Sequence, residues 1–90
     1  MKMIPFNAWS KERIALGKKT FTSRHTKYLS DQRVKVILPP LPWGVIRTYF
    51  WKQEGANSPD ELQQVIDEIF KRKVPDDEMF YVHIGEYKDD

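Results

Sequence analysis

Three observations predict an α+β fold for this chain. Two segments carry helix start and stop signals, one in each half of the sequence. Between and after them lie short runs rich in β-branched and aromatic residues, punctuated by proline and glycine. Ninety residues at 40% hydrophobic composition suffice for one small core. Strands with helices at the margins predict a single domain over residues 1–90, with a small, partly closed sheet and two flanking helices.

Residues 1–8 read as a short strand or an extended lead-in through Ile4, Pro5 and Phe6. A helix is expected over 9–16, capped by Asn7 or Ser10 and closed by Gly17, where a left-handed residue is wanted. Eight residues do not hold a helix alone, so Trp9, Ile14 and Leu16 must anchor it. Residues 19–24 alternate around Phe21 and read as a strand, 25–32 as a polar loop, and 34–38 as a second strand. Pro39, Pro40, Pro42 and Gly44 predict a stiff turn around Trp43, and the apolar run 45–51 predicts a third, central strand. A turn at 54–57 contains Gly55. Ser58-Pro59-Asp60-Glu61 then supplies a helix cap, a proline at the first helical position and the glutamate of a capping box. Leu62, Val65, Ile66, Ile69 and Phe70 follow at helical spacing. Lys71, Arg72 and Lys73 finish that helix, Pro75 stops it, 79–84 form a last strand, and 86–90 are expected to fray.

The net charge of +2 is unevenly laid out. Residues 1–35 hold nine Lys/Arg against two Asp/Glu, whereas 36–90 hold six against eleven. Such asymmetry predicts a basic surface and a phosphate-bearing partner, unless the fold interleaves the two halves. The absence of cysteine excludes disulfides, thiol catalysis and thiolate metal sites, and it points to a reducing compartment. With no long apolar run and no signal-like start, a soluble, cytoplasmic protein without membrane partners is expected. No cofactor is expected. No metal site is expected either, because His25 and His83 have no ligand spacing and His83 suits a structural, hydrogen-bonded role.

Chemistry concentrates in Gly17-Lys18-Lys19-Thr20-Phe21-Thr22-Ser23-Arg24. Lys18, Lys19, Thr22 and Arg24 offer four partners for phosphate or carboxylate within seven residues, straight after a helix-ending glycine. The string lacks the upstream glycine and preceding strand of a P-loop. Solvated charges on a surface strand are the bland alternative.

The arrangement resembles the ASCH domain family of the PUA-like superfamily. Its motif is G-x-K-x-x-E-x-R, and Gly17, Lys19 and Arg24 fall on the fixed positions, with Thr22 at the acidic one. Ile4-Pro5-Phe6 with Trp9 is similar to the family's lead-in. The stretch from Trp51 through Glu54-Gly55-Ala56 to Ser58-Pro59-Asp60-Glu61-Leu62 is similar to its acidic turn and capped helix. Phe80-Tyr81-Val82-His83 is similar to its closing strand. Residues 28–44 are shorter than the family's middle and lack its usual Gly-Asp.

The resemblance implies a small β-barrel with a cleft that binds RNA or a modified nucleoside. Lys18, Lys19 and Arg24 would line it, and Trp43 in the proline-rich turn, ahead of Trp51, Tyr49 and Tyr28, would stack on a base. A branch of the family with threonine at the acidic position removes the acetyl group of N4-acetylcytidine. Carried over, its Lys/Thr/Glu set is Lys19, Thr22 and, with a one-residue gap, Glu54. In that scheme Lys19 takes the proton of Thr22, Glu54 orients the lysine or shuttles protons, and Arg24 stabilises negative charge. It requires Lys19 to sit in the turn before the strand or on a bulge, since residues three apart on a regular strand face opposite ways. Recognition of RNA or a nucleoside is placed ahead of this hydrolase reading, because a shortened barrel threatens catalytic geometry more than a charged groove. A protein-interaction domain that has lost the cleft is the third reading.

Overall fold

The computed structural model describes residues 4–85. Its order is α1 (Ala8–Ala15), β1 (Phe21–Arg24), β2 (Val34–Val36), β3 (Leu41–Pro42), α2 (Trp43–Tyr49), α3 (Pro59–Phe70) and β4 (Met79–Gly85). This is an α+β domain with a four-stranded antiparallel sheet. β4 lies at its centre, between β1 and β2, and also pairs with β3. The sheet is open, with β1 and β2 at its edges, so the closed barrel expected from the resemblance is not formed by these strands. The residues expected to fray, 86–90, lie outside the described ones.

The helix signals act as predicted. The Asn7 side chain accepts from the Ser10 N–H at 2.8 Å and caps α1. At the other end Gly17, at φ 73°, lets its own N–H reach the Ile14 carbonyl and the Lys18 N–H reach that of Arg13, each at 2.9 Å. That pair of bonds ties off the last turn and aims the chain back along the helix toward β1. Ser58 caps α3 by accepting from the Glu61 N–H at 3.0 Å, while the Glu61 carboxylate accepts from the N–H of Asn57, one residue before the cap. The helix ends at Phe70. Lys71 takes the left-handed conformation that closes it, so Arg72 and Lys73 lie beyond the helix rather than in its last turn.

The segment expected as a central strand is instead α2, giving three helices rather than two. Pro42 stands at its N-cap with φ −69°, and the first N–H groups, of Trp43 and Gly44, donate to the carbonyls of Glu78 and Asp76. Trp43 and Ile46 are wholly buried and Phe50 packs beside them, a spacing of three and four residues along one helical face. β-branched and aromatic composition favours a strand. Here the burial of that stripe against α3 and β4 overrides it.

Trp43, Ile46, Leu62, Ile66, Val74, Phe80 and Val82 form the core between α2, α3 and one face of the sheet. Trp43 donates its indole N–H to Gln63 at 2.8 Å. On the other face His83 is buried, with Nδ1 3.0 Å from the Tyr81 carbonyl and Nε2 3.1 Å from the Tyr28 N–H. Nε2 therefore accepts, the ring is neutral, and burial pushes its pKa down. This is the structural histidine that the sequence suggested.

Two carboxylates fasten the periphery. Asp31 is buried and accepts from the Ile4 N–H at 3.0 Å and from the Arg33 guanidinium at 2.7 and 2.9 Å, which hold it well below the usual carboxylate range. Glu78 receives both Arg72 nitrogens, at 2.8 and 2.7 Å, and sits 2.7 Å from His25 Nε2; its pKa falls from 4.5 to about 2. A depressed folded-state pKa contributes stability that is present above the unfolded value and lost as pH falls through the folded one. The urea midpoint is therefore expected to hold steady near neutrality and to fall progressively from pH 4.5 toward 2, with Glu78→Gln flattening that slope. An acid slope identical in parent and variant would remove Glu78 from the account.

Candidate functional site

The site begins where α1 hands the chain to β1. The N–H groups of Thr20 and Phe21 both donate to the Gln53 carbonyl, at 2.8 and 3.0 Å, clamping the start of β1 against the turn at 51–55. Lys19 therefore lies before the strand, the placement that the catalytic scheme requires. Gly55, at φ 99°, passes so close that an added Cβ would stand 3.1 Å from the Lys19 Cβ and 2.9 Å from the Arg13 Cβ. Only glycine combines that backbone with that approach.

Along this path Lys19 Nζ reaches Glu54 Oε1 at 3.0 Å and the Glu54 carbonyl at 3.1 Å. The second carboxylate oxygen, Oε2, accepts from the Ser23 hydroxyl at 2.6 Å. Lys19, Ser23 and Glu54 are 6, 4 and 4% exposed. Burial pushes the Lys19 ammonium toward losing its proton, the Glu54 carboxylate opposes this, and Arg24 adds to the lowering; the net direction is down.

Thr22 is 1% exposed and lines, with Lys19, Ser23 and Glu54, a small pocket of about 20 Å³. On its other side the pocket meets Trp43, Leu62 and Ile66 of the core. It shares Trp9, Ser10, Arg24, Val65 and Ile69 with an outer cleft of about 670 Å³, so the two lie side by side. Phe6, Tyr28 and Phe70 complete the aromatic lining of that cleft. The apolar face of α3 is thus divided. Leu62 and Ile66 enter the core, whereas Val65 and the 44%-exposed Ile69 form a cleft wall.

Lys19, Thr22 and Glu54 are brought to one pocket although 35 residues separate the first from the last. They do not form one hydrogen-bonded chain. In the β1–β4 register Thr22 stands opposite His83 and Ser23 opposite Val82, so strand alternation aims Ser23 to the core side and Thr22 to the other. Arg24 lines both cavities, its guanidinium donating to the Pro5 carbonyl at 2.6 Å and lying over the Phe6 ring. Lys18 is exposed and outside both. Trp43, expected to stack on a base, is wholly buried at the start of α2 and presents no face to one. Its place in a proline-rich segment suggested exposure, but Pro42 starts a helix there instead.

Sequence reasoning missed Ser23 and the cleft role of Trp9, whose ring carries Arg13 at 5.1 Å and Lys19 at 6.0 Å. Trp9 carried a signal in its three- and four-residue spacing to Glu12 and Arg13, but an anchoring aromatic looks the same. The basic excess of the first 35 residues is partly neutralised in place, because Arg13 and Lys19 bridge to Glu61 and Glu54 of the acidic part. Among the described residues no group of three or more His, Cys, Asp or Glu is placed to hold a metal ion. None of the described helices is long and apolar enough to cross a membrane. No protein-family model matches the chain, and no curated protein or solved structure matches it either.

Proposed function

We propose that the protein is an amidohydrolase of ASCH type that removes the acetyl group of N4-acetylcytidine, using Lys19, Thr22 and Glu54. The observation that carries this reading is the buried Lys19–Glu54 pair, in a small pocket that shares Trp9 and Arg24 with a neighbouring cleft of about 670 Å³, a volume suited to a nucleoside. Phe6, Trp9 and Tyr28 line that cleft, and aromatic rings are the side chains on which bases stack. The reading brings with it the family's barrel, in a pared-down form, and a cytoplasmic setting.

The chemistry needs a nucleophile, a proton carrier and stabilisation of an oxyanion. The Thr22 oxygen attacks the acetyl carbonyl carbon and its proton passes to Lys19 Nζ, which burial favours in the amine form. The tetrahedral oxyanion faces the Arg24 guanidinium. Collapse breaks the carbon–N4 bond, Lys19 returns its proton to N4, and cytidine leaves. Water then attacks the acetyl ester on Thr22 and gives a proton to Lys19, and acetate departs with the threonine hydroxyl restored. Glu54 holds the lysine throughout. Thr22 lines the pocket, but the β1 register turns its side chain toward His83, so this step requires β1 to adjust when substrate is bound.

Recognition without turnover, through Lys18, Lys19 and Arg24, has less to draw on. Lys19 is buried against Glu54 and Lys18 is exposed outside both cavities, so the three cations do not share one surface. The test is cytidine release from N4-acetylcytidine, followed by chromatography. Release by the parent protein supports the hydrolase. Folded protein that binds the nucleoside and releases nothing returns the site to recognition alone.

A further inference from the structure

Glu54 is held from two sides. Lys19 donates to Oε1 at 3.0 Å and Ser23 to Oε2 at 2.6 Å, all three residues being buried. The short O–H···O distance is that of a hydroxyl donating to a charged carboxylate. Ser23 reaches Glu54 because β1 alternation turns it to the core side, whereas Thr22 turns toward His83. Two adjacent hydroxyl residues therefore have separate tasks.

We propose that Ser23 is a positioning residue, which fixes the Glu54 carboxylate so that its other oxygen stays on Lys19. The assignment of a reaction to this site rests on the amidohydrolase reading, but the effect on Lys19 does not. The hydroxyl presents its positive end to Glu54 and so weakens the negative potential that Lys19 feels. Removing it leaves the carboxylate free to turn and to draw more strongly on the ammonium. The other charged groups around Lys19 are Arg24 of β1 and Arg13 of α1, which shares the Trp9 ring with it. Arg24 donates to the Ser23 backbone carbonyl rather than to its hydroxyl, so a change at Ser23 Oγ removes no bond from it.

The experiment titrates Lys19 by NMR of lysine-labelled protein, in the parent and in Ser23→Ala and Ser23→Thr. In Ser23→Ala the Lys19 midpoint is expected to rise toward its ordinary value. In Ser23→Thr the hydroxyl is kept, the extra methyl has the small adjoining pocket to enter, and the midpoint is expected to return to that of the parent. Where the parent turns over N4-acetylcytidine, the limb of its pH–rate profile should move with Lys19. In Ser23→Ala kcat should fall by roughly ten- to a hundredfold, the loss expected of one hydrogen bond to a charged group. A purely structural serine would lower stability and leave the Lys19 titration alone. Coincident curves for parent and Ser23→Ala would overturn the proposal, whether or not the parent is active. Should Ser23→Ala not fold, Ser23→Cys, similar in shape with a weak donor, takes its place. Its Lys19 midpoint is expected to rise by less, and an unmoved midpoint overturns the proposal equally.

Discussion

Lys19→Met is expected to destabilise the protein by about 3–5 kcal/mol, and Lys19→Met with Glu54→Gln by much less. The single change strands a carboxylate that is 4% exposed, with one buried hydroxyl donor left to it. Desolvating an unpaired charge costs more than the pair itself contributes. The double change removes the stranded charge and leaves an amide that still takes the Ser23 hydroxyl. A domain of this length has a total stability of roughly 5–13 kcal/mol, so the single variant sits near the edge of folding. Equilibrium urea unfolding of parent, both singles and the double gives the coupling directly. A single variant as stable as the parent would mean that water reaches Glu54 and that the pair is not desolvated. One practical corollary is that lost turnover in a Lys19 variant is informative only where the variant is shown to be folded.

Thr22→Val is the cleaner probe of chemistry. It keeps the branched shape of a residue that is 1% exposed and removes only the hydroxyl. Stability is expected to change by about 1 kcal/mol or less, since no side-chain hydrogen bond ties that hydroxyl to Lys19 or Glu54. Turnover of N4-acetylcytidine is expected to fall by roughly 10³-fold or more, with binding of the nucleoside retained. Under single-turnover conditions the parent should carry an acetyl group on the peptide containing Thr22, and the variant none. Activity kept in Thr22→Val but abolished in Ser23→Ala would exchange the roles, making Ser23 the nucleophile with Glu54 as its base.

Much of the scaffold was legible in the sequence because local signals and burial agree there. Asn7, Gly17, Ser58 and Pro59 announce α1 and α3, and alternation announces β1 and β4. α2 was not legible. Val45, Ile46, Thr48, Tyr49 and Phe50 all favour strands, and the stripe through Trp43, Ile46 and Phe50 counts only once α3 and β4 are there to cover it. At the site, the resemblance picked out Lys19 and Glu54 across 35 residues, a link that no local pattern carries. Ser23 was hidden because Thr22 and Ser23 are equivalent as letters. Register against Val82 and His83 is what separates them. The charge asymmetry misled in part, since sequence distance says nothing of which acid each base will meet.

The central place of β4 has a consequence for how the molecule comes into being. Every strand pairing among the described residues has β4 as one member. A growing chain that has not yet extended past Met79 therefore holds the other three strands with nothing to pair against. β1 must wait for a partner some two thirds of the sequence away, and closing so long a loop is slow. Val82 of that strand belongs to the core and stands opposite Ser23, so pairing with β4 fixes the strand that carries Ser23. Completing the sheet and placing the serine that holds Glu54 are therefore one event.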